Sequence, residues 1–234
     1  MAISKKFWTL AQLITKIEQD LDLEGEVFIQ PEELIGYINA GIDEAEAEVH
    51  TLYEDYFLSR QPLTLVNGTS EYDMPTNIYA DKVRNIIYNN GSRAYEITRI
   101  REWKKFIEYS LDLVGGPTDS VEYRYFLINE TPGEPKILFT PEVGENGTTV
   151  VVWFLRQANR LEIETDKMDI PEAANFVMQH AKVSCYEKEG HPNLAKAMND
   201  LEKERALLQG TLATRVPDNN NELEMDLSFY QEMN

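Results

Sequence analysis

The chain has 234 residues, a length for one large or two small domains, and its 42% hydrophobic and 27% charged residues suit a chain that buries a core. Against 22 Lys+Arg stand 41 Asp+Glu, a formal net charge of −19, which argues against a sequence-reading nucleic-acid binder or a protein docking on anionic lipid, because both need local cation excess. The single cysteine, Cys185, excludes an intrachain disulfide, the opening MAISKKFWTLAQL lacks the form of a signal peptide, and no stretch approaches the ~20 apolar residues of a membrane span. The expectation is a soluble, acidic, intracellular protein with no membrane partner.

Two helices are predicted first. Thr9 and Gln12 have the form of a capping box, followed by Leu10, Leu13, Ile14, Ile17 and Leu21 as one apolar stripe. Asp20 to Gly25 breaks it. Pro31 suits the first position of a second helix, with Glu32 and Glu33 at its positive dipole end and a stripe from Leu34 through Ile38, Ile42 and Val49 to Leu52. Gly36 and Gly41 either weaken this helix by up to ~1 kcal/mol each or mark close helix approach.

After Arg60 the period shortens. Asn67-Gly68 between Leu63–Val66 and Ser70–Met74 predicts a type I′ hairpin, and Asn89-Asn90-Gly91 between Lys82–Tyr88 and Arg93–Ile97 a second. A short helix is expected over Glu102–Ser110, then strands over Val121–Ile128, Lys136–Thr140 and Thr148–Leu155. Helices resume at Asp169-Ile-Pro171-Glu172, run to Gly190, restart at Pro192 with Leu194, Met198, Leu201 and Leu208 on one face, and stop before Pro217. No internal repeat is visible.

The expected fold class is α+β: a helical scaffold from both ends of the chain with an inserted antiparallel β domain. Its parts are an N-terminal helical hairpin (1–60), the β domain (61–160), a C-terminal helical pair packing on the first helices (161–214) and an extended tail (215–234). The helical stripes are broad enough to leave faces, Ile42 and Val49 among them, for neighbouring subunits. From Asp218 the tail holds five acids and no Lys or Arg. Leu223, Met225 and Leu227 alternate with Glu224 and Asp226, and Phe229 and Tyr230 follow as aromatic anchors, a spacing suited to adding a strand to another chain's sheet edge.

The charge is unevenly spread. Residues 17–59 contain thirteen Asp or Glu and no Lys or Arg. One reading is a solvated helix face that keeps the chain soluble. The other is a surface that repels a polyanion: in a ring of about a dozen copies it would line a lumen with negative potential, and DNA would pass without sticking. Glu44, Glu46 and Glu48 are the conduit-lining candidates.

Searches for catalytic and metal motifs are negative. His50, His180 and His191 are far apart and in no metal-ligand spacing. Asp20, Asp22, Glu24 and Gly25 imitate the start of a calcium loop, but its twelfth position is Pro31. Gly36 to Gly41 lacks the Lys-Ser/Thr of a phosphate loop, and Asn67, Asn129 and Asn146 are turn residues. Trp103 with Phe106 and Trp153 with Phe154 suit packing better than sugar or base stacking. No enzyme activity, cofactor or metal is expected.

The order of these segments resembles a known family. The helix "PEELIGYINAGIDEAEAEV", the segment "YFLSRQPLTLVNGTSEYDMPTNIYADKVRNIIYNNGSRAYEITRI" and the final "IPEAANFVMQHAKVSCYEKEGHPNLAKAMNDLEKERALL" look like the head-to-tail adaptor (connector) proteins of tailed bacteriophages, the tail tubular protein A and tail accessory factor type. The resemblance covers about residues 1–212 and departs in a β insertion larger than that of the smallest adaptors. It implies a structural virion protein, made in the host cytoplasm, that forms a twelve-fold ring at the portal vertex and joins portal to tail or nozzle protein. Its partners would be copies of itself, the portal, the tail and DNA passing without specific binding. Leu223, Met225, Leu227, Phe229 and Tyr230 would then contact the portal. The alternative is a β-rich accessory binding module of the virion that recognises protein or glycan, which would stay small under native conditions.

Overall fold

A computed structural model describes residues 7–22, 28–112, 122–131 and 134–214. In chain order the elements are α1 (Leu10–Leu21), α2 (Pro31–Leu52), β1 (Leu58–Thr64), β2 (Glu71–Asp73), β3 (Ile78–Asn89), β4 (Ala94–Arg99), α3 (Trp103–Asp112), β5 (Arg124–Thr131), β6 (Glu134–Thr140), β7 (Thr149–Arg156), α4 (Ala174–Glu189) and α5 (Leu194–Ala213). They fall into two compact units: one takes the chain up to Tyr56 and from Ala158 onward, the other Phe57–Gln157.

In the first unit α4 packs against α1, α2 and α5. The predicted capping box is present, with the Gln12 N–H donating to Thr9 Oγ1 at 3.3 Å and the Thr9 N–H to Gln12 Oε1 at 3.1 Å. Leu10, Leu13 and Ile17 of α1, and Leu34, Ile38, Ile42, Ala45 and Val49 of α2, are buried. Ile42 and Val49 are therefore spent inside the unit rather than left for a neighbour. Gly41 marks a close approach: a Cβ there would lie 3.2 Å from His180 Cβ and 3.3 Å from Val177 Cα, whereas one on Gly36 would meet nothing within 4 Å.

The second unit is a seven-stranded sheet in the order β1-β7-β3-β4-β5-β6-β2. Its core takes Tyr72, Ile86, Ile97, Tyr125, Ile137, Phe139, Val150, Val152 and Phe154 from six of those strands. The architecture differs from the expected helical scaffold with an inserted antiparallel β domain. The sheet is mixed rather than antiparallel, because β4 pairs with β5 in parallel at Thr98↔Arg124 and Arg99↔Tyr125. Parallel neighbours need a crossover of a dozen or more residues, and α3 lies in that crossover. The sheet has its own extensive core, so the helices are not a scaffold on which it is carried.

The first predicted hairpin does not form. β1 pairs with β7 over Leu58↔Leu155 to Thr64↔Thr149, and β2 pairs with β6, so the strands flanking Asn67-Gly68 stand at opposite ends of the order. A turn forms, with Gly68 at φ 76°, but it is not of type I′, because Asn67 is not in the left-handed region. Its Gly68 N–H donates to Val143 O at 2.8 Å and its Asn67 N–H to Asn146 Oδ1 at 2.8 Å. Seven residue steps from Thr64 to Glu71 reach at most about 25 Å, while six strand spacings of a flat sheet need about 29 Å. The sheet must therefore curl, and it does. The second predicted hairpin, β3 with β4, pairs antiparallel at Ile86↔Ile97 to Asn89↔Ala94.

Candidate functional site

Residues 17–59 hold no Lys or Arg, and the fold brings cations to them chiefly from the C-terminal helices. Lys188 of α4 donates to Glu33 Oε2 at 2.6 Å and to the Phe28 carbonyl at 3.0 Å. Asp20 is paired with both Lys16 and Lys182. Arg205 of α5 pairs with Glu44 and lies with its Nε 3.6 Å from Glu48 Oε1. Arg160 Nη2 is 2.7 Å from Asp43 Oδ2. Apart from Lys16, four residues before Asp20, these cations lie more than a hundred residues along the chain, which is why the charge pattern read alone does not reveal the pairs. The Lys188 hydrogen bond, with the Gln30 N–H, holds the Glu33 carboxyl below its usual range. Burial pushes Asp20 up, but the bonds and charges of Lys16 and Lys182 together outweigh it and hold that carboxyl low.

The three conduit candidates occupy different surroundings. Glu44 faces α5 and α4, with a 37% exposed side chain and His180 Nε2 at 3.5 Å. Glu48 is 22% exposed and accepts from Gln209 Nε2 at 2.9 Å. Glu46 is only 8% exposed. Its Oε1 accepts the Ala158 N–H at 2.6 Å and lies 3.7 Å from His50 Nε2. The fold thus groups Glu44 and Glu48 around Arg205 and sends Glu46 to the opposite side of α2. Leu223, Met225, Leu227, Phe229 and Tyr230 lie outside the described residues.

Other polar and aromatic groups make structural contacts. His191 stacks on Tyr186 at 4.5 Å, and among the described residues no three His, Cys, Asp or Glu are grouped to hold a metal ion. The Cys185 thiol is buried, and burial pushes it up to about 11. In the sheet unit Glu145 accepts from Tyr88 at 2.8 Å, Tyr123 at 3.1 Å and Thr148 at 2.6 Å. Burial, with the carboxylate beside it, pushes Tyr88 up to about 12, so the cluster ties down the loop before β7 and holds its protons at neutral pH. Trp103 stacks on Phe106 at 5.5 Å and lies 5.4 Å from Phe126, and Arg60 lies over Trp153 at 5.8 Å. Among the described residues no helix is long and apolar enough to cross a membrane. What the arrangement offers is surface charge and packing faces.

The family described as SU10 adaptor protein matches the chain over residues 8–221. No curated protein matches the chain.

Proposed function

The chain belongs to the SU10 adaptor protein family, a family of bacteriophage head-to-tail adaptors with a structural role in the virion, and from that premise we propose that copies of it form a ring, twelve-fold like those of the adaptors it resembles, that joins the portal to the tail. The family match over 8–221 carries this reading. The net charge of −19 supports a conduit through the ring, because DNA meets no cation excess that would displace its counterions. Glu44 and Glu48, partly open to solvent, are the conduit-lining residues in this reading, and Glu46 serves the fold. Nothing in the reading calls for an active site.

The tail from Asp218 is proposed to bind the portal through Leu223, Met225, Leu227, Phe229 and Tyr230, adding a strand to an exposed sheet edge. The test is imaging of portal complexes with and without the chain, paired with co-sedimentation of a chain lacking 218–234. The expected result is a ring of added density on the tail side of the portal, and a truncated chain that stays in the supernatant. A full-length chain that leaves portal unbound overturns the adaptor reading. Undiminished binding by the truncated chain overturns only the tail's role.

A further inference from the structure

Helix α3 presents Trp103, Ile107 and Leu111 at i, i+4 and i+8, and they are 51%, 39% and 64% exposed. The other side of the helix packs inward, with Phe106 buried and Ser110 Oγ 2.9 Å from Thr140 Oγ1. One exposed leucine would be unremarkable, but three large apolar side chains in a row form a surface that a partner covers. Around this row the sign of the charge reverses. Residues 99–111 carry Arg99, Arg101, Lys104 and Lys105 against Glu102 and Glu108, in a chain of net charge −19. Lys104 has an 87% exposed side chain, with Glu108 at 3.7 Å, a surface contact that another partner can replace at small cost.

An apolar row fringed by cations fits an acidic surface without large side chains. The outward face of α2 is such a surface: Glu32, Gly36, Ala40, Asp43, Ala47 and Thr51 recur at helical spacing and are all exposed. Asp43 is about half exposed beside Arg160, and Gly36 has open space over its Cα.

We infer that α3 of one copy docks on the outward face of α2 of the next copy. This rests on the ring reading above and names its contact. The ridge of Trp103, Ile107 and Leu111 enters the groove over Gly36, Ala40 and Ala47, and Arg101 and Lys104 meet Glu32 and Asp43. A patch that meets a different patch on an identical chain is a heterologous contact, the kind that closes into rings.

Charge reversal tests the pairing in particles assembled with each variant in place of the unaltered chain, read as copies of the chain per particle. Arg101→Glu with Lys104→Glu, and separately Glu32→Lys with Asp43→Lys, each set like charges against each other and lower incorporation by about tenfold or more. A chain carrying all four substitutions restores opposite charges and regains incorporation. The substituted positions lie at the surface, and the intrachain pairs they give up, Asp43 with Arg160 and Lys104 with Glu108, are exposed ones worth little, so circular dichroism of each purified variant matches the unaltered chain. Normal incorporation of either double variant overturns the contact. Loss in both doubles without recovery in the quadruple also overturns it and assigns α3 to a different protein of the virion. If the unaltered chain is missing from particles, the adaptor reading fails instead.

Discussion

Glu46 shows how one side chain's role depends on what the fold sets beside it. In sequence it is one acid among Glu44, Glu46 and Glu48; in the fold its carboxylate holds the Ala158 N–H where the chain re-enters the helical unit. Glu46→Ala leaves that part-buried N–H without a partner, at about 1–3 kcal/mol, and chemical denaturation of the purified chain reads the loss. Glu48→Ala gives up a partly exposed contact with Gln209 and costs less, about 1 kcal/mol or under. Equal losses for the two would remove the distinction between them. The alternation of acids was legible in the sequence. The identity of the buried one was not, because it depends on a residue 112 positions away.

Elements with local determinants were readable. The Thr9/Gln12 box, the Pro31 start, the hairpin of β3 with β4 and the Gly190 stop at φ 67° all depend on residues within a few positions. A turn at Asn67-Gly68 was readable too, but the pairing of its flanking strands was not, since their partners in β7 and β6 lie 85–97 and 63–67 residues away. The parallel β4–β5 pair was hidden for a similar reason: alternation shows that a strand has a buried side but not the direction of its neighbour. The two glycines of α2 allow a clean comparison at this scale. Gly36→Ala gains helix propensity in open space and raises stability by about 0.5–1 kcal/mol. Gly41→Val forces α2 and α4 apart and lowers it by about 1–3 kcal/mol. Thermal melting that ranks the two the other way would refute the close approach.

For the whole molecule, the excess of 41 carboxylates over 22 cations makes stability depend on pH in two opposing ways. Lowering the pH from 7 toward the isoelectric point near 4.5 relieves mutual repulsion. Asp20 and Glu33 act in the other direction, since their folded pKa values lie below the ordinary ones of 3.8 and 4.5. What they add to stability is present above those ordinary values and is lost as pH falls through the depressed ones. The melting temperature is therefore expected to hold or rise down to about pH 5 and to fall steeply below about pH 4. Asp20→Asn flattens the acid limb in a pH series of melting curves, and an unchanged limb would show that the Lys16 and Lys182 pairs add nothing.

The helical unit is made of two stretches of chain, up to Tyr56 and from Ala158 onward, and the sheet unit lies unbroken between them. This sets an order of events on the ribosome. Residues 17–59, rich in carboxylates, emerge early, with their cations Lys182, Lys188 and Arg205 still to be translated. The sheet unit has every strand it needs once β7 leaves the exit tunnel, some sixty residues before α5 is complete. The sheet unit thus has all its strands before the helical unit has all its helices, since α1 and α2 pack on helices translated after it.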